Sequence, residues 1–456
     1  MSKPRILPML ISAVIGGAAV YFYTMFNPSD LSKLETAMRM IESNYVEPVD
    51  RTKLLDGAIE GMLESLGDPY TTYMDQEEAA AFQTQISSSF EGIGATMEEI
   101  DGRIIVVAPI KGSPAEAAGI RPGDQVIKVG DKDLTGISVN EAVLLIRGKK
   151  GTTADLTILR NGKEMKVSIV RDTIPIQTVY TEMKEDNIGV IRIASFSETT
   201  ADEYVEAVKE LLGQGMKGLI LDLRQNPGGL TSTAEEVAET IVPDGKAIVQ
   251  FKTRGAKPEI TYSKHRDIGL DILPKAVLID GGSASASEIV AGALQQSGGV
   301  PLIGETSFGK GTAQLNQMFR DGSSMKYTIA EWLTPNGSSI NKQGLKPDIE
   351  VSLPEYASLP LIPDDVAMAE NHFSDEIKTA QQMLAAIGFD PGRTDGYFDG
   401  ATKQAVVRFQ RSKKLEETGF IQGETTRALI QEVRELIQQN DTQLNKAIET
   451  IKEQLQ

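Results

Sequence analysis

With 456 residues the chain is too long for one hydrophobic core, and several domains are expected. Its 64 acidic residues against 46 basic give a formal charge of −18, so most of the surface would repel a phosphate backbone and nucleic acid is a poor partner. Cysteine is absent, which excludes disulfides, thiolate metal sites, a cysteine nucleophile and a lipidated cysteine anchor. The two histidines, His265 and His372, each lie in a polar stretch with no second ligand at helical spacing, so neither a metal nor another cofactor is expected.

The chain opens MSKPR and then runs without a charge through ILPMLISAVIGGAAVYFYTMF, residues 6–26. As a helix such a run crosses the roughly 30 Å hydrocarbon layer, and Lys3 and Arg5 ahead of it favour a cytoplasmic N-terminus. Residues 1–27 therefore read as a single-pass membrane anchor. The alternative is a secretory signal cleaved near Gly17 and Ala19, although the apolar run continues past that point. On either reading the rest of the chain lies outside the cytoplasm.

Residues 28–88 are helical in period: LSKLETAMRMIESNYV and KLLDGAIEGMLESL place apolar residues three and four apart, and QEEAAAFQTQI follows the turn GDPYTTYMD. This lead could pack on the next domain or on a second copy in a homodimer. From 89 to 173 short strands alternate with Gly and Pro, and Asn161-Gly162 marks a hairpin between ADLTILR and KEMKVSIVR. Here GSPAEAAGIRPGDQVIKVG resembles the signature of a PDZ domain, which takes up a peptide as an added strand and caps its terminal carboxylate with backbone amides. The resemblance makes Gly92, Ile93 and Gly94 the carboxylate loop and the helix from Val139 to Ile146 the wall of the groove. Arg147, ending that helix, is either a solvated charge or a switch.

Residues 174–355 alternate strands and helices, which argues an α/β layer with several buried strands. Residues 356–371 are a linker by composition. In the segment 372–438, GYFDGATKQAV from Gly396 is nearly repeated as GFIQGETTRAL from Gly419. Each copy offers a glycine turn, a Thr expected to cap a helix (Thr402, Thr425) and an apolar helix face. With QQMLAAIGF before it, the segment resembles the small three-helix peptidoglycan-binding module, which makes the cell wall a partner; a dimer contact is the alternative. Residues 439–456 continue as a charged helical tail. The fold class expected is thus multidomain α/β and α+β: a transmembrane helix, a helical lead, a PDZ domain placed before an α/β core, and a three-helix module.

Three stretches could do chemistry. GGSASASEIVAGALQQ, residues 281–296, sets serines on a tight turn entering a helix of small residues, where other backbone can approach closely and a developing negative charge is favoured. A serine needs a base, and a lysine serves if burial disfavours its ammonium form. Lys310 in GETSFGKGT follows a strand and has glycine on both sides. The same stretch approaches a P-loop, but Gly311 stands where the Mg²⁺-binding hydroxyl of that motif belongs, so an ATPase is the weaker reading. If GKGTAQ is extended, Lys310, Thr312 and Gln314 face one side, and Gln314 could orient a neutral amine. DLRQNPGG, residues 222–229, ends a strand in a glycine turn able to aim N–H groups at an oxyanion.

The PDZ signature, DLRQNPGG, SASASEI, GETSFGKGTAQ and LTPNGSSINKQGLKPDI stand in the order found in carboxyl-terminal processing proteases, also called tail-specific proteases, and from about Ser32 to Leu353 the chain resembles that family. The resemblance implies a serine endopeptidase that recognises protein C-termini through its PDZ domain and cuts near them. It makes Ser285 the nucleophile and Lys310 the base, with Ala286 and one of Gly228 or Gly229, the latter preferred, as oxyanion donors. Some relatives carry an acidic orienter on the helix after the serine; here that role is given to Gln314. A scaffold that binds peptide and wall but has lost its activity is the alternative. The location expected is the envelope of a thick-walled Gram-positive cell, where a signalling cut and the clearance of damaged proteins fit equally well.

Overall fold

The structure is a computed structural model that describes residues 30–100 and 102–456. Among these no helix is long and apolar enough to cross a membrane, and the apolar run at 6–26 lies outside the described residues. The chain divides into two compact units.

The first unit holds the lead up to Ala81 together with the segment Gln314–Ile329. Its helices Asp30–Asn44 and Arg51–Glu64 follow the expected period, the second started by Asp50, whose carboxylate accepts from Thr52 N at 2.8 Å. Thr72–Met74 pairs antiparallel with Ser324–Lys326, so a strand of the lead is completed by a distant part of the chain. Leu31, Met40, Tyr45 and Val46 remain exposed on this lead.

The second unit begins with the PDZ domain. Its sheet runs in the order 95–100, 103–109, 125–129, 153–160, 163–170, around a core that includes Ile104, Val126, Leu156 and Ile158. Asn161 and Gly162 both take positive φ, as a type I′ hairpin requires. Ser89–Gly92 pairs with Asp172–Pro175, so the entry and exit strands of the domain are held to each other.

In the α/β core, β1 (Val179–Lys184), β2 (Ile188–Ile193), β3 (Gly218–Asp222), β4 (Lys275–Ile279), β5 (Leu302–Gly304) and β6 (Ile349–Glu350) form a six-stranded sheet in that order. β1 is antiparallel to β2 and the rest are parallel. Helices α1 (Thr200–Gly213), α2 (Thr231–Glu239) and α3 (Ala286–Gln296) bury Leu219, Leu221, Val277 and Ile279 on one face. The alternate residues Ile220, Ala276 and Leu278 are buried on the other face by α4 (Thr442–Leu455), through Ala447 and Ile451. Strands covered on both faces explain why GLILD and KAVLI are apolar without alternation.

The segment 439–456, expected as a charged helical tail, is helical from Thr442 to Leu455, and the open sheet face takes up its apolar stripe. The structure also revises the linker: Tyr356, Leu359, Ile362 and Met368 pack into the core of the C-terminal module, and Met368 bridges to Ile421. The module has its three helices, Asp375–Ala386, Gly400–Ser412 and Glu424–Gln439. Thr402 and Thr425 do not cap them. Their hydroxyls accept from Gln381 and Gln410 at 2.9 and 3.0 Å, while the same glutamines accept from Gly396 N and Gly419 N at 2.9 and 3.0 Å. The repeat seen in sequence is therefore a repeated buried amide that fastens each glycine turn to a helix.

Candidate active site

Three adjacent parallel strands end at one edge, and the candidate residues lie on the loops that leave them. Loop 223–229 follows β3, loop 280–285 follows β4 and loop 305–311 follows β5. The carboxyl edge of a parallel sheet is where α/β folds place their ligands, because side chains and amides of several loops converge there.

Loops 223–229 and 280–285 are bonded to each other. Gln225 N and Nε2 donate to the Asp280 carboxylate at 2.9 and 2.8 Å, Ser283 Oγ donates to Leu223 O at 2.8 Å, and Ala284 N to Asn226 O at 3.0 Å. Ser285 then takes φ 54° and ψ −113° as the residue before α3. A non-glycine residue in that region stores about 1–3 kcal/mol, held by its surroundings. The same sharp turn from strand to helix lifts a serine clear of its neighbours in other hydrolases.

The restraint is Glu288, which is fully buried on the first turn of α3. Its Oε2 accepts from both Ser285 N, at 2.8 Å, and Lys310 N, at 2.9 Å. Its Oε1 accepts from Ser307 Oγ at 2.5 Å and Gly309 N at 2.7 Å. One carboxylate thus holds the backbones of both candidate catalytic residues within two hydrogen-bond lengths of each other. Burial raises the Glu288 carboxyl above its ordinary value, against these four bonds, which favour the charged form. The amides of Gly309 and Lys310, which in a P-loop would face phosphate, are occupied by this internal anion.

Trp332 and the segment 340–345 lock the lysine loop from the other side. Trp332 Nε1 donates to Lys310 O at 2.8 Å, Lys342 N to Gly309 O at 2.7 Å, and Leu345 N to Ser307 Oγ at 2.7 Å. A Cβ on Gly309 would stand 2.8 Å from Gln343 N, and one on Gly311 2.7 Å from Asn341 Cβ, so the glycines flanking Lys310 allow this close approach.

Of the expected oxyanion donors, Gly228 N is engaged by Asn226 Oδ1 at 2.9 Å. Gly229 bridges Phe196 in parallel, but the two bonds, Phe196 N to Gly228 O at 2.9 Å and Leu230 N to Phe196 O at 2.7 Å, do not use its own N–H. Ala286 N opens α3, where intrahelical bonding leaves an amide without an acceptor. A Cβ on Gly228 would come within 2.8 Å of Ser285 Cβ and 2.9 Å of Ala286 N, so this loop lies directly against the serine.

Gln314 belongs to the first unit, where its Nε2 donates to Thr328 Oγ1 at 3.1 Å and Thr328 Oγ1 donates to Asp68 Oδ2 at 2.6 Å. The strand that carries it begins at Thr312, two residues after Lys310. His265, the other conceivable base, has its ring between Val242 O at 3.1 Å and Asp271 at 3.1 Å. In the PDZ domain Arg147 sits over the Phe90 ring at 4.8 Å and its Cγ lies 3.8 Å from where a Cβ on Gly92 would be, which places a cation at the Gly92-Ile93-Gly94 loop. Gly94 takes φ 76°, and its carbonyl accepts from Ile110 N and Ser113 Oγ.

Sequence reasoning passed over Glu288. Ser285-Ala286-Ser287-Glu288 has the S-x-x-E spacing of a capping box, in which a third-position acid reaches back to the N–H ahead of the helix. That signal was present, but the partners across the chain, Gly309 and Lys310, were not visible in it.

Models of known families match the chain in four places. Peptidase family S41 matches 187–351, a PDZ domain 92–170, a peptidoglycan binding domain 373–429, and the activating protease CtpB N-terminal domain 18–78. Carboxy-terminal processing protease CtpA of Bacillus subtilis (strain 168) is 47% identical over 460 residues, covering 98% of each chain. Carboxy-terminal processing protease CtpB of the same strain is 41% identical over 430 residues, 92% of this chain and 89% of its own. Among solved structures, a photosystem II D1 C-terminal processing protease aligns at 28% identity over 70% of this chain and 93% of its own, with a TM-score of 0.42.

Proposed function

Since the chain belongs to the carboxy-terminal processing proteases, we propose that it cleaves proteins near their C-termini outside the cytoplasm, with Ser285 as nucleophile and Lys310 as general base. The observation that carries this reading is the shared bond of Ser285 N and Lys310 N to one oxygen of Glu288. Ser285 Oγ bonds to the scissile carbonyl carbon as its proton passes to the neutral Lys310 Nζ. The N–H groups of Ala286 and Gly229 receive the oxyanion, each worth roughly 10²–10³ in rate. The Lys310 ammonium then protonates the leaving amine as the C–N bond breaks; water, deprotonated by the same lysine, adds to the acyl carbon, and the ammonium returns that proton to Ser285 Oγ as the ester C–O bond breaks. Gln314 keeps the orienting role that the family resemblance gives it.

The PDZ domain takes the substrate's C-terminal segment as an added strand, its carboxylate on the amides of the 92–94 loop beside Arg147. The C-terminal module binds peptidoglycan, the apolar run 6–26 anchors the chain in the membrane, and the exposed apolar residues of the lead support a homodimer. The full-length relatives named as processing proteases favour this over a scaffold without activity.

The test is cleavage of an unfolded model protein by wild type, Ser285→Ala and Lys310→Ala with EDTA present. Loss in both variants and persistence in EDTA are expected. Activity that survives Lys310→Ala would remove the lysine from the mechanism and bring His265 back into consideration.

A further inference from the structure

Arg224 lies at the root of loop 223–229, two residues beyond the end of β3, and its side chain is largely buried. Its guanidinium is shared between two segments far apart in sequence. Nε and Nη2 donate to Asp222 at 2.9 and 2.8 Å. Nη1 and Nη2 donate to Asp441 at 2.9 and 2.8 Å, and Nη1 also to Gln443 Oε1 at 3.0 Å. Every N–H of the fork is therefore used, in two bidentate pairs and one neutral bond. The arginine is fixed in plane by Asp222 at the end of β3 and by Asp441, the residue that caps α4.

Asp441 does three things at this point. It accepts from Leu444 N at 2.9 Å as the helix cap, it fastens Arg224, and it stands where the chain returns from the C-terminal module. The outgoing chain is bonded to the returning one: Thr442 Oγ1 donates to Ser352 O at 2.7 Å and Gln443 Nε2 to Val351 O at 2.9 Å. Beyond Arg224 the loop carries Gln225 in positive φ, tied to Asp280 of the serine loop, and ends at Gly228 and Gly229.

We propose that Asp441, supported by Gln443, is a positioning residue for the protease: through Arg224 it sets the loop that presents the Gly229 amide, so the terminal helix is a working part of the catalytic core. The proposal rests on the reading of 228–229 as the oxyanion side of the site. A donor to the oxyanion acts on the transition state more than on bound substrate, so loosening it lowers kcat with little change in KM.

The experiment uses the full chain with Asp441→Ser, which retains a side chain able to cap α4 but cannot form the bidentate pair. Arg224 keeps Asp222 and Gln443 in this variant, so it is not left as an unpaired buried charge. The expected result is a fall in kcat of about tenfold, a fraction of the roughly 10²–10³ for complete loss of one donor, with KM within about twofold. Placed on an Arg224→Met background, Asp441→Ser should add nothing, because the residue acts through the arginine. Independently of turnover, hydrogen exchange of the 225–229 amides should quicken in Asp441→Ser while that of β2 does not.

Unchanged exchange in the loop would overturn the proposal, as would an equal loss of kcat with and without Arg224, or a loss confined to KM. If exchange quickens as expected but cleavage survives Ser285→Ala, the positioning stands and the Ser-Lys assignment falls.

Discussion

Replacing Glu288 by Gln tests whether one buried carboxylate sets the geometry of both Ser285 and Lys310. The carboxylate accepts on both oxygens, and an amide can accept on one. If the Gln NH₂ takes the Oε2 position, Ser285 N and Lys310 N both lose their acceptor; if it takes the Oε1 position, Ser307 can rotate to accept, but Gly309 N cannot. The cheaper arrangement leaves one buried N–H unpaired, which costs about 1–3 kcal/mol. The loop can recover that bond by shifting, and Lys310 moves with it. The cost then appears as molecules whose base is out of place, or roughly a tenfold to hundredfold fall in kcat, with KM nearly unchanged. Single-turnover cleavage of a peptide reads this directly, and a kcat within threefold of wild type would refute the reasoning. The pH dependence supplies a second reading. Burial raises the Glu288 carboxyl, so activity falls as pH drops through a value above that of an ordinary glutamate, and this limb should vanish in the Gln variant. Stability runs the other way: a raised folded-state pKa means folding takes up a proton, so the contribution is full below the unfolded value and lost as pH rises through the folded one.

Removal of 354–440 with a short Gly-Ser join should leave peptide cleavage intact and abolish sedimentation with purified cell wall, because Ser352 and Thr442 are already hydrogen-bonded. Deleting 441–456 instead should abolish cleavage, since it uncovers Ile188, Ile220 and Leu278. Ile451→Ala, at a fully buried position against Gly218, should cost about 2–5 kcal/mol in denaturant unfolding of the core. Arg147→Ala should weaken binding of a fluorescent peptide with a free C-terminal carboxylate about threefold to tenfold and leave its amidated twin unaffected. Equal weakening of both would show that Arg147 does not read the carboxylate.

Much of this protein is written locally. The hairpin at Asn161-Gly162, the helical lead and the alternation of the α/β core follow from periodicity and turn chemistry within short windows, while the PDZ domain and the three-helix module are legible through their resemblance to known modules. A serine-bearing turn before a helix of small residues and a lysine between glycines are local signals too, but the choice of Ser285 among the serines of SASAS, and of Lys310 as its base, comes from the family resemblance. What sequence could not supply is how groups distant along the chain meet. Glu288 reads as a helix-start acid until loop 305–311 folds over it, and then it becomes the common acceptor of both candidate catalytic backbones. The stretch after 438 reads as a charged helical tail because its polar face dominates its composition. Only the sheet, with one face still open, turns its apolar stripe into the second wall of the core. Arg224 and Asp441 are 217 positions apart, and no period or motif links them. Their pairing exists because a buried guanidinium must satisfy every N–H it carries, and the fold brings Asp441 to it beside Asp222, which is only two positions away in the chain.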